Sequence, residues 1–175
     1  MSGDAKSCEI RAAMCQIDDK PAFLQRLQDA ARRFDTHIIC FNADMLAGKQ
    51  HAETAIRYAV RSFERGDPIS NTLEMEALLY AAGSRQCNVG ASFGIRAGKN
   101  HLWVCCYPQT PGIWDALAPD LSFLSADAWE SIDEKKQESL MQIFGITTEE
   151  LSTLESADRI MDLILERVAL LEVIR

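Results

Sequence analysis

The sequence predicts an α+β fold, with a small mixed or antiparallel sheet of about four strands covered by many helices. Three segments have the composition of strands, 8–17, 37–41 and 101–107, and 121–124 resembles a last edge strand. Segments of helical apolar spacing lie between and after them. A chain of 175 residues that is 47% hydrophobic is large enough for one core. We therefore expect a single domain over residues 1–175.

The first half of the chain contains four predicted helices. Pro21 begins a helix that continues to about Phe34. The segment 51–65 has the clearest helical period, and its outer face carries arginines four residues apart. Asn71 is the expected N-cap of the next helix, which ends at Gly83. Ser84 is expected to cap a further helix that runs to about residue 93.

The second half is predicted to be mainly helical after the third strand. A short helix is expected over 110–117 and a long final helix over 156–171. Three helix starts have the spacing of a capping box. They are Ser131 with Glu134, Thr147 with Glu150, and Ser152 with Glu155.

Charge and cysteine content limit the function classes. Residues 1–106 hold 13 Lys+Arg and 12 Asp+Glu, whereas residues 107–175 hold 5 and 14. The acidic end argues against a protein that coats nucleic acid, but leaves room for a local contact in the first half. Six cysteines with no Cys-x-x-Cys pair and three histidines predict no metal and no cofactor. No signal peptide or membrane span is apparent, so we expect a cytoplasmic protein.

Two patterns look catalytic, but their sequence context is wrong. Gly90, Ser92 and Gly94 match Gly-x-Ser-x-Gly, which needs a strand before the serine and a helix after it. Here the predicted helix comes first and the strand follows. Residues 94–99 resemble a P-loop with one residue too few between the glycines. We therefore predict no catalytic residue and no enzymatic activity.

The predicted third helix carries a carboxylate that needs a partner. Residues 73–82 are almost wholly apolar, yet they include Glu74 and Glu76. A buried charge without a partner costs several kcal/mol, about 3–5 when one member of a buried pair is removed. Arg85, just beyond the helix end, is the nearest candidate. Glu76 and Arg85 thus form either a structural ion pair or a polar binding site on a rigid support.

Several blocks together resemble one known family. They are Phe41-Asn-Ala-Asp-Met-Leu-Ala-Gly48, His51, Asn71 to Glu76, Leu79-Tyr-Ala-Ala-Gly-Ser-Arg-Gln86, Phe144 to Leu151, and Leu165 to Leu171. This combination is similar to the small accessory subunit of the KEOPS complex, the family of the PRPK-binding protein. The likeness covers nearly the whole chain and is closer to the archaeal members. After Gln86 the chain departs from the family pattern, with Cys87-Asn-Val-Gly90 in place of a regular apolar helix.

The resemblance implies a non-catalytic subunit. Members of the family bind the small atypical kinase/ATPase of KEOPS, and reach the other subunits through it. The complex adds a threonylcarbamoyl group to adenosine in tRNA, and archaeal members help hold tRNA near its 3′ end. The first half of this chain supplies RNA-binding candidates, namely Arg85, Gln86, Asn71, Lys49 and Arg57. The alternatives are a kinase-binding module with no RNA role, or an unrecognised small-molecule enzyme.

Overall fold

A computed structural model of the chain describes residues 7–152 and 159–174. Four strands form one sheet in the order β2-β3-β1-β4, and every neighbouring pair is antiparallel. Many helices cover this sheet, so the predicted α+β class is confirmed. The strands are β1 Glu9–Ile17, β2 His37–Asn42, β3 Gly98–Tyr107 and β4 Ser122–Phe123.

The sheet is buried on both faces. Along β2, Ile39 and Phe41 belong to one apolar cluster, while Ile38 and Cys40 belong to the other. This alternation is the period of two that a strand imposes on its side chains. The central strand β3 is covered from both sides, and its residues 102–106 have no exposed surface.

Eight helices surround the sheet in the described part of the chain. Four contribute to the cluster on one face (α2, α3, α6 and α8), and two to the cluster on the other (α1 and α5). The helices are α1 Lys20–Arg33, α2 Lys49–Glu64, α3 Leu73–Ala82, α4 Cys87–Ala91, α5 Ile113–Leu117, α6 Glu134–Phe144, α7 Thr148–Ser152 and α8 Arg159–Ile174. No described helix is long and apolar enough to cross a membrane.

Helix α3 begins one residue later than predicted. Its N-cap is Thr72 rather than Asn71, because the Thr72 hydroxyl accepts a hydrogen bond from the Met75 amide at 3.1 Å. Helix α4 is also shorter than expected, and Ser84 does not cap it. The Ser84 hydroxyl instead accepts from the Gln86 amide at 3.1 Å, which forms a turn before the helix.

Gly90 in α4 marks a close approach between helices. A Cβ atom at this position would lie only 2.9 Å from Leu79 of α3. The glycine that departs from the family pattern therefore lets α4 pack tightly on α3.

The three predicted capping boxes have different outcomes. Thr147 and Glu150 form the expected reciprocal pair, with side chain to amide distances of 3.1 and 3.4 Å. Helix α6 is capped by Asp133 instead of Ser131. Ser152 is the last residue of α7, whereas its predicted partner Glu155 lies outside the described residues. The predicted start of the final helix, at residue 156, also lies outside them.

Candidate partner-binding surface

Glu76 is held in place by the loop that precedes its own helix. Its side chain is fully buried, and the amides of Ile69 and Ser70 each donate to one carboxylate oxygen at 2.8 Å. The hydroxyls of Ser70 and Ser62 lie 2.8 and 3.3 Å from the carboxylate. We call these four residues the Glu76 anchor. A buried carboxylate with this many donors is satisfied without a cation.

The predicted ion pair between Glu76 and Arg85 is wrong. The backbone amides of residues 69 and 70 occupy the Glu76 carboxylate, so that it has no need of Arg85. Arg85 is exposed, and its guanidinium donates to the Ile174 carbonyl at the end of α8, at 3.4 Å. The two residues therefore have separate roles, and Arg85 is not needed to satisfy a buried charge.

Arg85 shares a small cavity with a second arginine. The cavity has a volume of about 480 Å³ and lies between the α2–α3 loop and the end of α8. Its lining consists of Arg65, Asp67, Pro68, Ile69, Arg85 and Glu172. The cavity also holds two carboxylates, Asp67 and Glu172, and Arg65 pairs with both. Arg85 is therefore the guanidinium group that is suited to bind a phosphate or a carboxylate here.

The guanidinium of Arg65 is oriented by carboxylates. It donates to Glu172 and lies 3.5 Å from Asp67. The hydrogen bond to Glu172 raises the pKa of Arg65 above its ordinary value. The second oxygen of Glu172 accepts from the buried Tyr80 hydroxyl at 2.6 Å. This chain of contacts ties α2, α3 and α8 together beside the cavity.

None of the other four RNA-binding candidates lines this cavity. Gln86 is exposed beside Arg85, and Asn71 is exposed in the loop before α3. Arg57 is exposed halfway along α2, where its guanidinium lies 3.4 Å from the Thr54 hydroxyl. Lys49 begins α2, so about 24 Å of helix separates it from Arg65. The five candidates therefore do not form one cluster.

The end of α8 presents apolar side chains to solvent. Leu170, Val173 and Ile174 are 46%, 79% and 64% exposed. Their spacing of three and four residues places them on one face of the helix. The Ile174 carbonyl contacts Arg85, so the end of α8 reaches the arginine cavity. Glu172, the α8 residue that lines this cavity, lies on the opposite side of the helix from the apolar face. We call Arg65, Arg85 and these three apolar residues the C-terminal surface.

The sequence model of a family described as kinase binding protein CGI-121 matches residues 14–172. The chain belongs to this family. The match runs from within β1 to α8 and includes the Glu76 anchor, Arg65, Arg85 and Leu170. It ends at residue 172, just before Val173 and Ile174. The resemblance to the kinase-binding KEOPS subunit is thus confirmed at the level of the family. No curated protein matches the sequence.

Within this CGI-121 chain, His51 joins the start of α2 to the end of α3. The buried ring accepts from the Ala47 amide at 3.1 Å, and its other nitrogen donates to the Ala81 carbonyl at 2.9 Å. Burial lowers the pKa of His51 to about 4. The neutral ring is therefore a structural link between the segment before α2 and the last turn of α3.

Neither catalytic pattern has the geometry of an active site in this CGI-121 chain. Ser92 caps the end of α4, and its hydroxyl donates to the Val89 carbonyl. A helix precedes this serine and β3 follows, as predicted. The glycine-rich segment turns into β3, where Asn100 accepts from the Arg96 amide at 3.0 Å. Over residues 7–152 and 159–174, no group of three or more His, Cys, Asp or Glu is arranged to hold a metal ion.

Sequence reasoning missed the role of Arg65. The sequence shows arginines four residues apart on α2, but not that Arg65 lines a cavity while Arg57 and Arg61 do not. The partner Glu172 is 107 residues away in the chain, and no local spacing predicts that contact. The pattern of Leu170, Val173 and Ile174 was visible, but a sequence does not show which apolar residues of a helix remain exposed.

Proposed function

We propose that this chain is the non-catalytic KEOPS subunit that binds the small atypical kinase/ATPase and holds tRNA near its 3′ end. Membership of the kinase-binding family supports the first half of this proposal. The observation that carries it in the structure is the exposed apolar face of α8. The adjoining pair Arg65 and Arg85 supports the second half.

The kinase binds the apolar end of α8 in this proposal. Leu170, Val173 and Ile174 are three of the five large apolar residues exposed in the described part of the chain. Clustered apolar side chains at a surface are typical of protein–protein interfaces. A standard interface buries roughly 1,600 Å² in total, so other residues around α8 contribute to the contact.

The RNA contact lies at Arg65, Arg85 and Gln86. Over the described residues, no carboxylate lies within 4.0 Å of the Arg85 guanidinium. Its charge is thus available for a phosphate, while Arg65 on the same cavity is oriented by Glu172. Exposed Gln86 adds a donor and an acceptor for a base edge. Asn71, Lys49 and Arg57 are more distant candidates that extend the contact along the tRNA.

Two binding measurements test the proposal. Titration of the kinase into the protein is expected to show a complex at micromolar concentrations. Gel shifts with tRNA, with and without its 3′ CCA end, are expected to show weaker binding when that end is missing. Binding of the kinase without any binding of tRNA would establish the alternative of a module that has no RNA role. Failure of the kinase to bind would contradict the proposal.

A further inference from the structure

The last turn of α8, residues 171–174, contacts both arginines of the cavity. The Glu172 carboxylate accepts a hydrogen bond from the Arg65 guanidinium, and the Ile174 carbonyl accepts one from Arg85 at 3.4 Å. The last carbonyls of a helix have no partner within it, so Arg85 caps this end of α8. Arg65 directly follows α2 and Arg85 follows α3, so the two contacts join three helices.

Glu172 is also held by a buried hydroxyl. Its second carboxylate oxygen accepts from the Tyr80 hydroxyl at 2.6 Å. Tyr80 is fully buried in α3, and its ring stacks on Tyr58 of α2 with 5.4 Å between the ring centroids. The Glu172 side chain is only 18% exposed. These contacts fix the last turn of α8 against α2 and α3, and we call the turn seated when they are in place.

The same turn carries the proposed kinase contact on its other side. Val173 and Ile174 expose their side chains, whereas Leu171 is buried. Successive residues of a helix are about 100° apart, so Glu172 points away from the apolar face. A partner that binds Val173 and Ile174 together needs this turn to be helical. The contacts of Glu172 and Arg85 therefore support a surface that neither side chain belongs to by position.

A seated turn also prepares Arg85 for a phosphate. The end of a helix is the part that frays most readily, and fraying removes the Ile174 carbonyl from Arg85. Arginine has five N–H donors, and the contact with Ile174 leaves others for a ligand. The carbonyl thus orients the guanidinium without consuming the donors that a phosphate needs. An oriented side chain loses less conformational entropy when it binds.

We propose that Glu172 couples the two contacts of the C-terminal surface. It keeps the last turn of α8 seated, so that the kinase bound to this turn strengthens the binding of a tRNA phosphate at Arg85. Bound tRNA strengthens the binding of the kinase by the same factor, because both ligands favour the seated turn. Glu172 is a positioning residue here, since it acts through α8 and Arg65. The inference rests on the proposed function and states how its two contacts depend on each other.

A thermodynamic cycle tests this inference on the full-length protein. The dissociation constant for tRNA is measured at one salt concentration, without the kinase and with saturating kinase. The kinase is expected to lower this constant at least about fivefold in the wild type, the lower end of the range for coupled sites. In Glu172→Gln the ratio of the two constants is expected to be at least about threefold smaller. Contacts between the kinase and tRNA persist in the variant, so the difference measures the part that depends on the seated turn.

Two further variants separate positioning from folding and from charge. Tyr80→Phe removes only the hydroxyl that holds Glu172, and it is expected to lower the ratio as well. Glu64→Gln removes a negative charge from an exposed site next to Arg65 and outside the lining of the cavity. It is expected to keep the ratio of the wild type. The thermal transition of each variant verifies that it folds.

The outcomes distinguish this inference from the proposed function. A wild-type ratio of one, an unchanged ratio in Glu172→Gln or Tyr80→Phe where the variant folds, or an equal decrease in Glu64→Gln would overturn the coupling. Each of these results leaves both partners bound, so the proposed function would stand. Failure of the wild type to bind the kinase would instead contradict the proposed function, and the coupling with it.

Discussion

Glu76 is a buried carboxylate that is stabilised by backbone amides instead of a counter-ion. The amides of Ile69 and Ser70 point at its two oxygens, so the carboxylate fixes the loop that joins α2 to α3. That loop contributes Asp67, Pro68 and Ile69 to the cavity of Arg65 and Arg85. The residue therefore contributes to the C-terminal surface by holding the backbone that shapes it.

Glu76→Gln is expected to destabilise the protein. The glutamine amide would replace one carboxylate oxygen, and it would face a backbone donor that it cannot accept from. An unsatisfied buried donor costs about 1–3 kcal/mol, and stronger bonds to the charged group are lost as well. Chemical denaturation measures the decrease in the free energy of unfolding. Glu74→Gln is the matched control on the same helix, because Glu74 pairs with His37 at a half-exposed site and its loss costs less than about 1 kcal/mol.

His51 is expected to make stability depend on pH. Its pKa is about 4 in the folded protein against 6.5 when unperturbed, so the unfolded chain binds the extra proton first as pH falls. The free energy of unfolding therefore decreases from about pH 6.5 down to about pH 4, by up to about 3 kcal/mol. His51→Gln is expected to remove this part of the slope, whereas His37→Gln is expected to keep it. Equal slopes in the wild type and His51→Gln would contradict the role assigned to the neutral ring.

At the scale of elements, periodicity predicted most of the fold. The strands β1, β2 and β3 and the edge position of β4 follow from alternation and from short apolar runs. The amphipathic α2 was equally clear, although the structure begins it at Lys49 rather than residue 51. Helix starts were less certain, since Thr72 and Asp133 compete with neighbouring Asn71 and Ser131 for the same cap.

The candidate site was predictable only in part. Arg85 and Gln86 were predicted as RNA-binding candidates, and both side chains are exposed after α3, which is what such a contact requires. The partner of Glu76 could not be predicted, because the carboxylate is bound by backbone amides. Every residue except proline carries such a donor, so the sequence does not show which residues supply it. Arg65 with Glu172 joins elements far apart in the chain, and that proximity comes from the packing of α2 against α8.

Both arginines of the cavity are expected to bind tRNA, and only Arg65 also supports the fold, through its contact with Glu172. Arg85→Ala and Arg65→Ala should each weaken tRNA binding, and each should flatten the slope of log affinity against log salt by up to about one unit. Arg85→Ala should keep wild-type stability, because Glu76 is satisfied by residues 69 and 70. In the Arg85 variant, removal of the 3′ CCA end should have little further effect.

Arg61→Ala is the control for the arginine pair. Arg61 is exposed on α2 and lies over the ring of Tyr58, outside the lining of the cavity. Its loss is expected to change tRNA affinity by less than the loss of either cavity arginine. Wild-type affinity and salt slope in Arg85→Ala would refute an RNA contact at this position.

At the scale of the whole molecule, the sheet separates two layers of helices. Helices α2, α3, α6 and α8 pack on one face, and α1 and α5 pack on the other. The C-terminal surface belongs to the first layer, because its residues lie on or just beyond α2, α3 and α8. The two proposed contacts, with the kinase and with tRNA, therefore lie in the same layer of helices.

Ser92→Ala is expected to leave the function of the assembled complex unchanged. The hydroxyl only caps α4 through the Val89 carbonyl, and no helix follows it as a nucleophile motif requires. The test compares the rate of tRNA modification by the complete complex assembled with the wild-type subunit and with the Ser92→Ala subunit. A folded Ser92→Ala protein that abolishes the activity would contradict the non-catalytic assignment.

The most direct test of the account is calorimetric titration of the kinase into this protein and two variants. Wild-type protein is expected to form a complex with micromolar affinity or better, and Val173→Asp combined with Ile174→Asp is expected to weaken it at least about tenfold. Ile143→Asp is the matched control, because Ile143 is an exposed apolar residue of α6, at 37% exposure. It is expected to bind like the wild type. No binding by the wild type, or equal binding by a folded Val173→Asp/Ile174→Asp protein, would contradict the claim that α8 carries the kinase interface.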